Sequence, residues 1–411
     1  MSLQDYLRSD QLKYIFFLAA VIGLHPIELI SSDKKTKLSF LFKFYSYFVV
    51  FILITYFVSC YTKIYILLNM AGDEINILET ARCFVLSILI NIPILIIFLV
   101  KQQPYFQMLF TDIYDTEEFF RNTDDYVLKE IYDNSVKNYI NNSKMLSILL
   151  PGAALTLVFR PFVEYEEHLE NGVVDIKRQL PAELWFPYDT QIHFWKTYFV
   201  QILWCVVCGC SAIFSYFVMF CVIFYAIGQL RIMHYIINNF KTYQSKLVPE
   251  ESEIDPAEFT IKFIINKHQK VINFIDTINK ALGMVIMFDF LQNSIQITCV
   301  LVEIYERDVI SVSFALYVTS LFSLIIYRLF ILSFNCHEIT LLSQLLANNI
   351  YQGEWYNESR HFKFMLKMFI MRCLKPLFIR IGPFGAIGLP SLISVFKATY
   401  SYIMLFINIQ E

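Results

Sequence analysis

The sequence predicts an all-α integral membrane protein with seven transmembrane helices, a cytoplasmic N-terminus and an extracellular C-terminus. Of its 411 residues, 57% are hydrophobic and only 17% are charged, and the mean hydropathy is +0.52. A soluble globular chain carries about 25% charged residues. Phe alone, with 40 residues, outnumbers Gly, with 11, which favours helices over a transmembrane β-barrel. The net charge of −3 gives no indication of a nucleic-acid partner.

A helix needs roughly 20 apolar residues to cross the bilayer. Seven runs approach or exceed that length: 38–62, 80–100, 144–163, 195–228, 275–302, 310–335 and 386–409. A shorter apolar run, Tyr14–Leu24, is about half a span and ends at His25 and Pro26. Asp5 and Asp10 precede this run and no small-residue cleavage site follows it. An interfacial or re-entrant helix is therefore favoured over a signal peptide.

The distribution of Lys and Arg predicts the orientation of the chain. Clusters of basic residues occupy 1–37, 229–274 and 336–385, whereas the loop 63–79 has one lysine and the loop 164–194 is strongly acidic. The three basic segments are therefore predicted to be cytoplasmic. Because the number of spans is odd, the C-terminus is predicted to lie outside.

This topology divides the chain into six segments. In order, they are a cytoplasmic N-terminal segment with the re-entrant or interfacial helix (1–37), transmembrane helices 1–4 with the acidic outer loop 164–194 (38–228), cytoplasmic anchor helices (229–274), transmembrane helices 5 and 6 (275–335), further cytoplasmic anchor helices (336–385) and transmembrane helix 7 (386–411).

The cytoplasmic connections carry apolar residues at helical spacing. Residues 256–280 show this pattern, and residues 338–380 also predict helix, broken near Gly353. Helices 4–6 are therefore predicted to extend into the cytoplasm as an anchor domain. Their apolar stripes need partners. They either bury one another within one chain or join chains in an oligomer, and periodicity leaves both alternatives open.

The last span has small and polar residues on one face. At 100° per residue, one stripe contains Ile387, Ser391, Ser394, Ala398, Ser401, Tyr402, Leu405 and Ile409. Such a stripe is typical of a packing seam between helices, or of a wet pore wall that Leu405 and Ile409 close as a hydrophobic gate. Lys397 lies beside the stripe, where a partner on another helix is favoured over a position in the pore.

Glycines and prolines between 382 and 390 predict a break before this span. A cytoplasmic helix is expected to end near Arg380, and the spanning helix to begin near Ile387.

No enzyme, cofactor or metal site is predicted. The sequence has no nucleophile elbow, P-loop or paired-carboxylate motif. Cys205, Cys208 and Cys210 form a CxxCxC pattern inside an apolar span, where small buried residues are favoured over a zinc site. A disulfide between Cys60 and Cys83 is left open, because spacing does not decide it.

The C-terminal third resembles the insect odorant receptors. The similarity is specific in "NNIYQGEWYNESRHFKFMLKMFIMRCLKPLFIRIGPFGAIGLPSLISVFKATYSYIMLF". It rests on Tyr351 with Trp355-Tyr356, on Lys375-Pro376-Leu377, on Gly382-x-Phe384 and on Tyr400-Ser401-Tyr402. The stretches "LPAELWFPYD", "YFVQILW" and "GLHP" also resemble that family, and the weaker similarity extends over the whole chain.

The resemblance implies an odorant-gated, non-selective cation channel. It implies a tetramer with a co-receptor subunit, in which each last span lines a central pore, in the plasma membrane of a sensory-neuron dendrite. In the family register, Leu405 and Ile409 match gate positions. Asn408 stands where the related gustatory receptors have glutamine, which suits an odorant receptor better than a gustatory receptor-like channel.

The resemblance also implies a pocket for a small volatile ligand among spans 2, 3, 4 and 6. Such a pocket should be mostly apolar and aromatic. The candidate lining residues are Phe84, Ser87, Ile88, Gly152, Thr156, Phe159, Cys205, Gly209, Phe314, Tyr317 and Leu321.

Two other classes of membrane protein fit the sequence less well. A G-protein-coupled receptor requires an extracellular N-terminus, which the charge distribution opposes. A secondary transporter predicts internal repeats, which the sequence lacks.

Overall fold

A computed structural model describes residues 8–23, 37–69, 77–163, 165–170, 173–178, 180–182, 184–247, 255–305 and 311–410. Within these residues the fold consists of long helices and one β-hairpin. The helices are α1 (Lys13–Val21), α2 (Lys37–Asn69), α3 (Ile77–Gln102), α4 (Pro104–Arg121), α5 (Tyr126–Val163), α6 (Phe194–Asn238), α7 (Phe240–Leu247), α8 (Pro256–Tyr305), α9 (Val312–Tyr351), α10 (Arg360–Cys373) and α11 (Leu389–Gln410), with a short 3-10 turn at Trp355–Asn357.

Six helices in the described residues are long and apolar enough to cross a membrane: α2, α3, α5, α6, α8 and α9. They correspond to the first six predicted spans. The seventh prediction corresponds to α11, which has 22 residues. At 1.5 Å per residue, α11 is about 33 Å long, so its length suffices for a seventh crossing of the hydrocarbon core.

The predicted extensions of helices 4–6 are present as continuous helices. Helix α6 has 45 residues, α8 has 50 and α9 has 40, so each is about 60–75 Å long. That is about twice the hydrocarbon thickness. The extensions pack against one another and against α10. Ile264, Val271, Ile275 and Ile278 of α8 are at most 3% exposed, so the apolar stripe is buried within one chain.

The all-α prediction is confirmed for the helical bundle, and one short β-hairpin departs from it between α5 and α6. Strands β1 (Tyr165–Glu170) and β2 (Val173–Arg178) pair antiparallel, with Tyr165 opposite Arg178. Period-two alternation is hidden here because charged residues occupy both faces of β1. We call the end of the helical bundle next to this pair the hairpin end.

Two further helix boundaries differ from expectation. Helix α5 begins at Tyr126, 18 residues before the predicted start at 144, and α4 was not predicted. Helix α4 is amphipathic: Pro104 opens it, and it buries Phe106, Leu109 and Ile113. Its apolar residues are too few for a span, but their helical spacing is enough to bury one face.

Helix α10 ends at Cys373, not near Arg380. Pro376 accounts for the early stop, because it disfavours helical backbone in the residue before it. The chain then folds back on itself: the N–H of Ile387 donates to the carbonyl of Ile379 (2.8 Å), and Gly382 turns the backbone at φ 47°.

This connection, residues 374–388, is attached to both long helices beside α11. The N–H of Leu377 donates to Ser343 Oγ of α9 (2.9 Å). The N–H of Arg380 donates to Asn279 Oδ1 of α8 (2.8 Å), and the N–H of Gly382 donates to the carbonyl of Gly283 of α8 (2.9 Å). The position where α11 begins is therefore set by α8 and α9.

Candidate functional site

A cavity of about 150 Å³ lies at the hairpin end, among α5, α6 and α9, with one residue each from α2 and α3. Small side chains on α5 and α6 leave this space: Ala153, Ala154, Cys205, Cys208, Gly209 and Ala212 all line it. Larger apolar groups complete the wall, namely Leu86, Leu150, Leu157, Val158, Leu321 and Leu324. The cavity therefore has the apolar lining that small organic ligands require.

The segment after the hairpin covers one end of the cavity. Pro181, Ala182 and Leu184 belong to the lining. Gln201 of α6 holds this segment, because its amide donates to the carbonyl of Ala182 (2.7 Å) and its oxygen accepts from the N–H of Ala182 (3.2 Å). Trp204 stacks on Phe186 with ring centroids 5.3 Å apart. The family-like stretch "LPAELWFPYD" thus contributes to the cover.

The opposite end of the cavity is charged. Arg328 of α9 and Tyr216 of α6 line it. Arg328 donates to Asp289 Oδ1 of α8 (3.1 Å) and to Asn293 Oδ1 (2.8 Å), and its guanidinium lies 4.4 Å from the Tyr216 ring centroid. The Tyr216 hydroxyl also donates to Asp289 Oδ1 (3.1 Å). Arg328 and Asp289 are at most 3% exposed, so this is a buried, hydrogen-bonded ion pair.

Four of the eleven predicted odorant-site residues line this cavity: Cys205, Gly209, Tyr317 and Leu321. Others lie nearby but on different faces. Phe84 and Phe159 are exposed, at 39% and 58%. Gly152 is exposed, and Phe314 is buried outside the lining.

The hydroxyls of two further candidates are bonded to their own helices. Ser87 donates to the carbonyl of Cys83 (2.6 Å), and Thr156 donates to the carbonyl of Ala153 (2.7 Å). The side chain of Ile88 lies outside the described residues. On α5, therefore, the lining residues are Ala153, Ala154, Leu157 and Val158. The face of α5 that lines the cavity is thus offset from the predicted face by about one residue.

Sequence reasoning did not select Tyr216, Asp289 or Arg328. A signal for Arg328 was present, because it is a charged residue inside the apolar run 310–335. Ionisable residues inside spans are usually paired and functional. No periodicity indicated that Asp289 of α8 would be its partner, since that pairing depends on how α8 and α9 meet.

In the part of the chain that the structure describes, the thiols near the cavity do not belong to a cluster of metal-ligating side chains. Among the described residues, no group of three or more His, Cys, Asp or Glu side chains is placed to hold a metal ion. Cys205 and Cys208 line the cavity, whereas Cys210 does not. Cys60 and Cys83, both described, are not joined by a disulfide.

Helix α11 packs by one face against α8 and α9. Val395 and Thr399 are buried on that face, at 7% and 4% exposed. The predicted stripe lies at its edge: Ser391 and Ala398 are half-buried, and Ser394, Ser401, Tyr402, Leu405 and Asn408 are exposed. Ile387 precedes the helix and is buried. The side chain of Ile409 lies outside the described residues.

The exposed side of α11 mixes polar and apolar groups. Leu405 is 63% exposed. The hydroxyls of Ser394 and Ser401 donate to the backbone of their own helix, at the carbonyls of Pro390 (3.0 Å) and Lys397 (3.1 Å). Lys397 is also exposed. Within the described part of one chain, nothing covers this side of the helix.

The apolar helices define a helical membrane protein with an internal cavity. The family described as 7tm Odorant receptor matches residues 78–400, and the chain belongs to this family. Odorant receptor 63a of Drosophila melanogaster is 21% identical over 212 residues, which are 50% of this chain and 47% of that protein. Odorant receptor 67b of the same species is 23% identical over 212 residues, covering 51% and 48%. The chain thus matches about half the length of these relatives.

Solved structures share the fold. The insect olfactory receptor OR5 from Machilis hrabei in complex with eugenol has a TM-score of 0.77 at 12% identity, and a second structure of the same receptor has 0.74 at 14% identity. Each match covers 97% of both chains. The similarity therefore extends over the whole arrangement of helices and includes α11.

Proposed function

We propose that the chain is a subunit of an odorant-gated, non-selective cation channel. The observation that carries the proposal is the apolar cavity of about 150 Å³ inside a helical bundle of the odorant receptor family. An engineered apolar cavity of about this volume binds benzene. The cavity is therefore suited to a small volatile ligand, and Cys205, Gly209, Tyr317 and Leu321 are the predicted residues that would contact it.

In this proposal α11 lines the pore. Its uncovered side would face copies from other subunits around a central axis, with Ser391, Ser394, Ala398 and Ser401 along the wetted wall. Leu405, with Ile409 one turn later, would form the hydrophobic gate. Tyr402 and Asn408 would lie near the same constriction. Four such chains, including a co-receptor subunit, would enclose the pore, as the family resemblance implies.

Helix α9 provides a physical connection from the cavity to the pore helix. Its residues Tyr317, Leu321, Leu324 and Arg328 line the cavity, and the same helix packs against α11. Further along α9, His337 lies 3.3 Å from the point where a Cβ on Gly388 would be. A ligand would open the channel only if it binds the open arrangement of α9 more tightly than the closed one.

The orientation belongs to this proposal as well. The N-terminus and the extensions of α6, α8 and α9 would be cytoplasmic, forming the anchor domain, and the hairpin end would face outward. The ligand would then enter from the extracellular side of a sensory-neuron plasma membrane. No catalytic role or cofactor is proposed. An extracellular N-terminus, detected by antibody labelling of a tag on unpermeabilised cells, would contradict this orientation.

Recording of odorant-evoked current tests the proposal. The chain would be expressed alone and with a co-receptor subunit, and current is expected only when both are present. Leu405→Ser should raise the current measured without odorant, because a polar residue hydrates the constriction. Ile393→Ser is the matched control, since Ile393 is 54% exposed on another face of α11. Unchanged basal current in Leu405→Ser, at normal surface expression, would overturn the gate assignment.

A further inference from the structure

The polar groups around the cavity differ in whether they have a hydrogen-bond donor to spare. Tyr56 donates to the carbonyl of Leu86 (3.1 Å), and Trp204 donates to Thr55 Oγ1 (3.2 Å). Gln201 is bonded to Ala182, and the Tyr216 hydroxyl donates to Asp289, as described above. These four donors are used within the protein.

Arg328 has a donor left. Its Nη2 is bonded to Asp289 and Asn293, but its Nε has no hydrogen-bond partner among the described residues. The residue is 3% exposed and belongs to the cavity lining. A buried donor without a partner is costly and uncommon in native proteins. Within the described part of the chain, Arg328 therefore has at least one N–H donor without an acceptor at the charged end of the cavity.

Charge and chemistry restrict what that acceptor is. A guanidinium only donates, so the ligand atom must accept. Asp289 already balances the charge of Arg328, so a carboxylate ligand would bury an unpaired negative charge. An ammonium ligand has no acceptor and would place a second cation beside Arg328. A neutral oxygen with no proton of its own satisfies the donor and leaves no new group unpaired.

We propose that Arg328 determines ligand specificity by donating a hydrogen bond to the carbonyl oxygen of a small, neutral ketone, aldehyde or ester. This inference rests on the proposed function, in which the same cavity binds the odorant. The apolar part of the ligand would lie against Leu321, Leu324 and the small residues of α5 and α6. The cavity volume of about 150 Å³ suits a ligand with roughly six to ten non-hydrogen atoms, since benzene fills a similar space.

Matched ligand pairs that differ only in the carbonyl oxygen test this inference. Acetophenone is compared with ethylbenzene, 2-heptanone with heptane, and cyclohexanone with cyclohexane. Benzoate and benzylamine represent the two charged classes. Dissociation constants are measured on the purified full-length chain in lipid nanodiscs. The carbonyl member of a pair that binds is expected to bind about tenfold tighter or more, because its hydrogen bond comes from a charged donor.

The double variant Arg328→Met with Asp289→Asn removes the donor without leaving a buried charge unpaired. In this variant the carbonyl member is expected to bind no more than about threefold tighter than its hydrocarbon partner. The affinity for the hydrocarbon itself should not change. Arg231→Met with Glu338→Gln is the control, because it removes another arginine–carboxylate ion pair, which lies outside the cavity (2.5 Å). Thermal unfolding and gel filtration check that both proteins fold.

The measurement on the unaltered protein decides the question even if the double variant does not fold. Equal affinity for acetophenone and ethylbenzene, tighter binding of benzoate or benzylamine than of acetophenone, or binding of no panel member, would overturn the inference. Ala212→Leu, which fills the cavity, separates this failure from failure of the proposed function. If it abolishes binding while the wild type shows no carbonyl preference, only the role of Arg328 is wrong. If it leaves every affinity unchanged, the cavity is not the ligand site.

Discussion

Filling the cavity should stabilise the protein and remove its response to odorant. Ala212 lies on α6 in the cavity lining, and Ala212→Leu adds three carbon atoms to that space. A cavity of about 150 Å³ costs about 3.6 kcal/mol at about 24 cal/mol per Å³. Three added methyl or methylene groups would recover at most about 2.4 kcal/mol. Imperfect packing reduces this gain, and we expect about 1–2 kcal/mol.

The assay combines thermal unfolding with concentration–response curves of odorant-evoked current. The unfolding temperature of Ala212→Leu should rise by about 1–2 °C, while the response falls at least tenfold in sensitivity. Ala315→Leu is the control, because Ala315 is exposed on α9 and lies outside the cavity lining. A normal odorant response in Ala212→Leu, at normal surface expression, would refute the reasoning.

Three further predictions concern single contacts. Asp289→Asn should destabilise the chain by about 3–5 kcal/mol in thermal unfolding, because it leaves the buried Arg328 unpaired; a loss no larger than that of Glu338→Gln, in a half-exposed pair, would contradict this. Burial raises the pKa of Asp125, but hydrogen bonds from Tyr243 and Lys246 outweigh burial and lower the pKa below its usual 3.8. Because the folded pKa is the lower one, this stabilisation is present at neutral pH and is lost as pH falls through the folded pKa. Tyr243→Phe should therefore cost about 1 kcal/mol at pH 7 and progressively less below pH 3.8; a pH-independent cost would contradict the assignment. Gly382→Ala should cost about 1 kcal/mol, because φ is 47° and Met287 Sδ would lie 3.1 Å from the new Cβ, whereas Gly152→Ala, with open space around it, should not destabilise.

The long helices were predictable because their signal is carried by many residues at once. Apolar runs located the first six spans, and helical spacing in 256–280 indicated that α8 continues far beyond its span. Helix ends that depend on a single residue were harder to predict. Helix α10 ends at Cys373 because of Pro376. The expected end near Arg380 was based on the glycines and prolines between 382 and 390, which lie further along the chain.

The cavity was predictable only in part, because its lining depends on the rotation of each helix. On α6 and α9, the predicted residues Cys205, Gly209, Tyr317 and Leu321 all line one cavity. On α5 the predicted residues Gly152 and Thr156 lie about one residue away from the lining. Such a rotation is fixed by neighbouring helices, which a single sequence does not show.

The polar end of the cavity required the fold itself. Arg328 and Asp289 are 39 residues apart and lie on different helices. Each alone is a charged residue in an apolar run, and their pairing appears only when α8 and α9 are side by side. The hairpin was similarly hidden, because both faces of β1 carry glutamate.

Accessibility of Ser401 during odorant stimulation tests the central claim most directly. Ser401→Cys would be expressed with a co-receptor subunit, and a positively charged thiol reagent applied with and without odorant while current is recorded. If α11 lines a ligand-gated cation pore, the reagent should block the current irreversibly, and faster when odorant is present. Ile192→Cys, which is 76% exposed just before α6 and lies outside α11, should show no such acceleration. Absence of block at Ser401→Cys, with normal odorant-evoked current, would contradict the account.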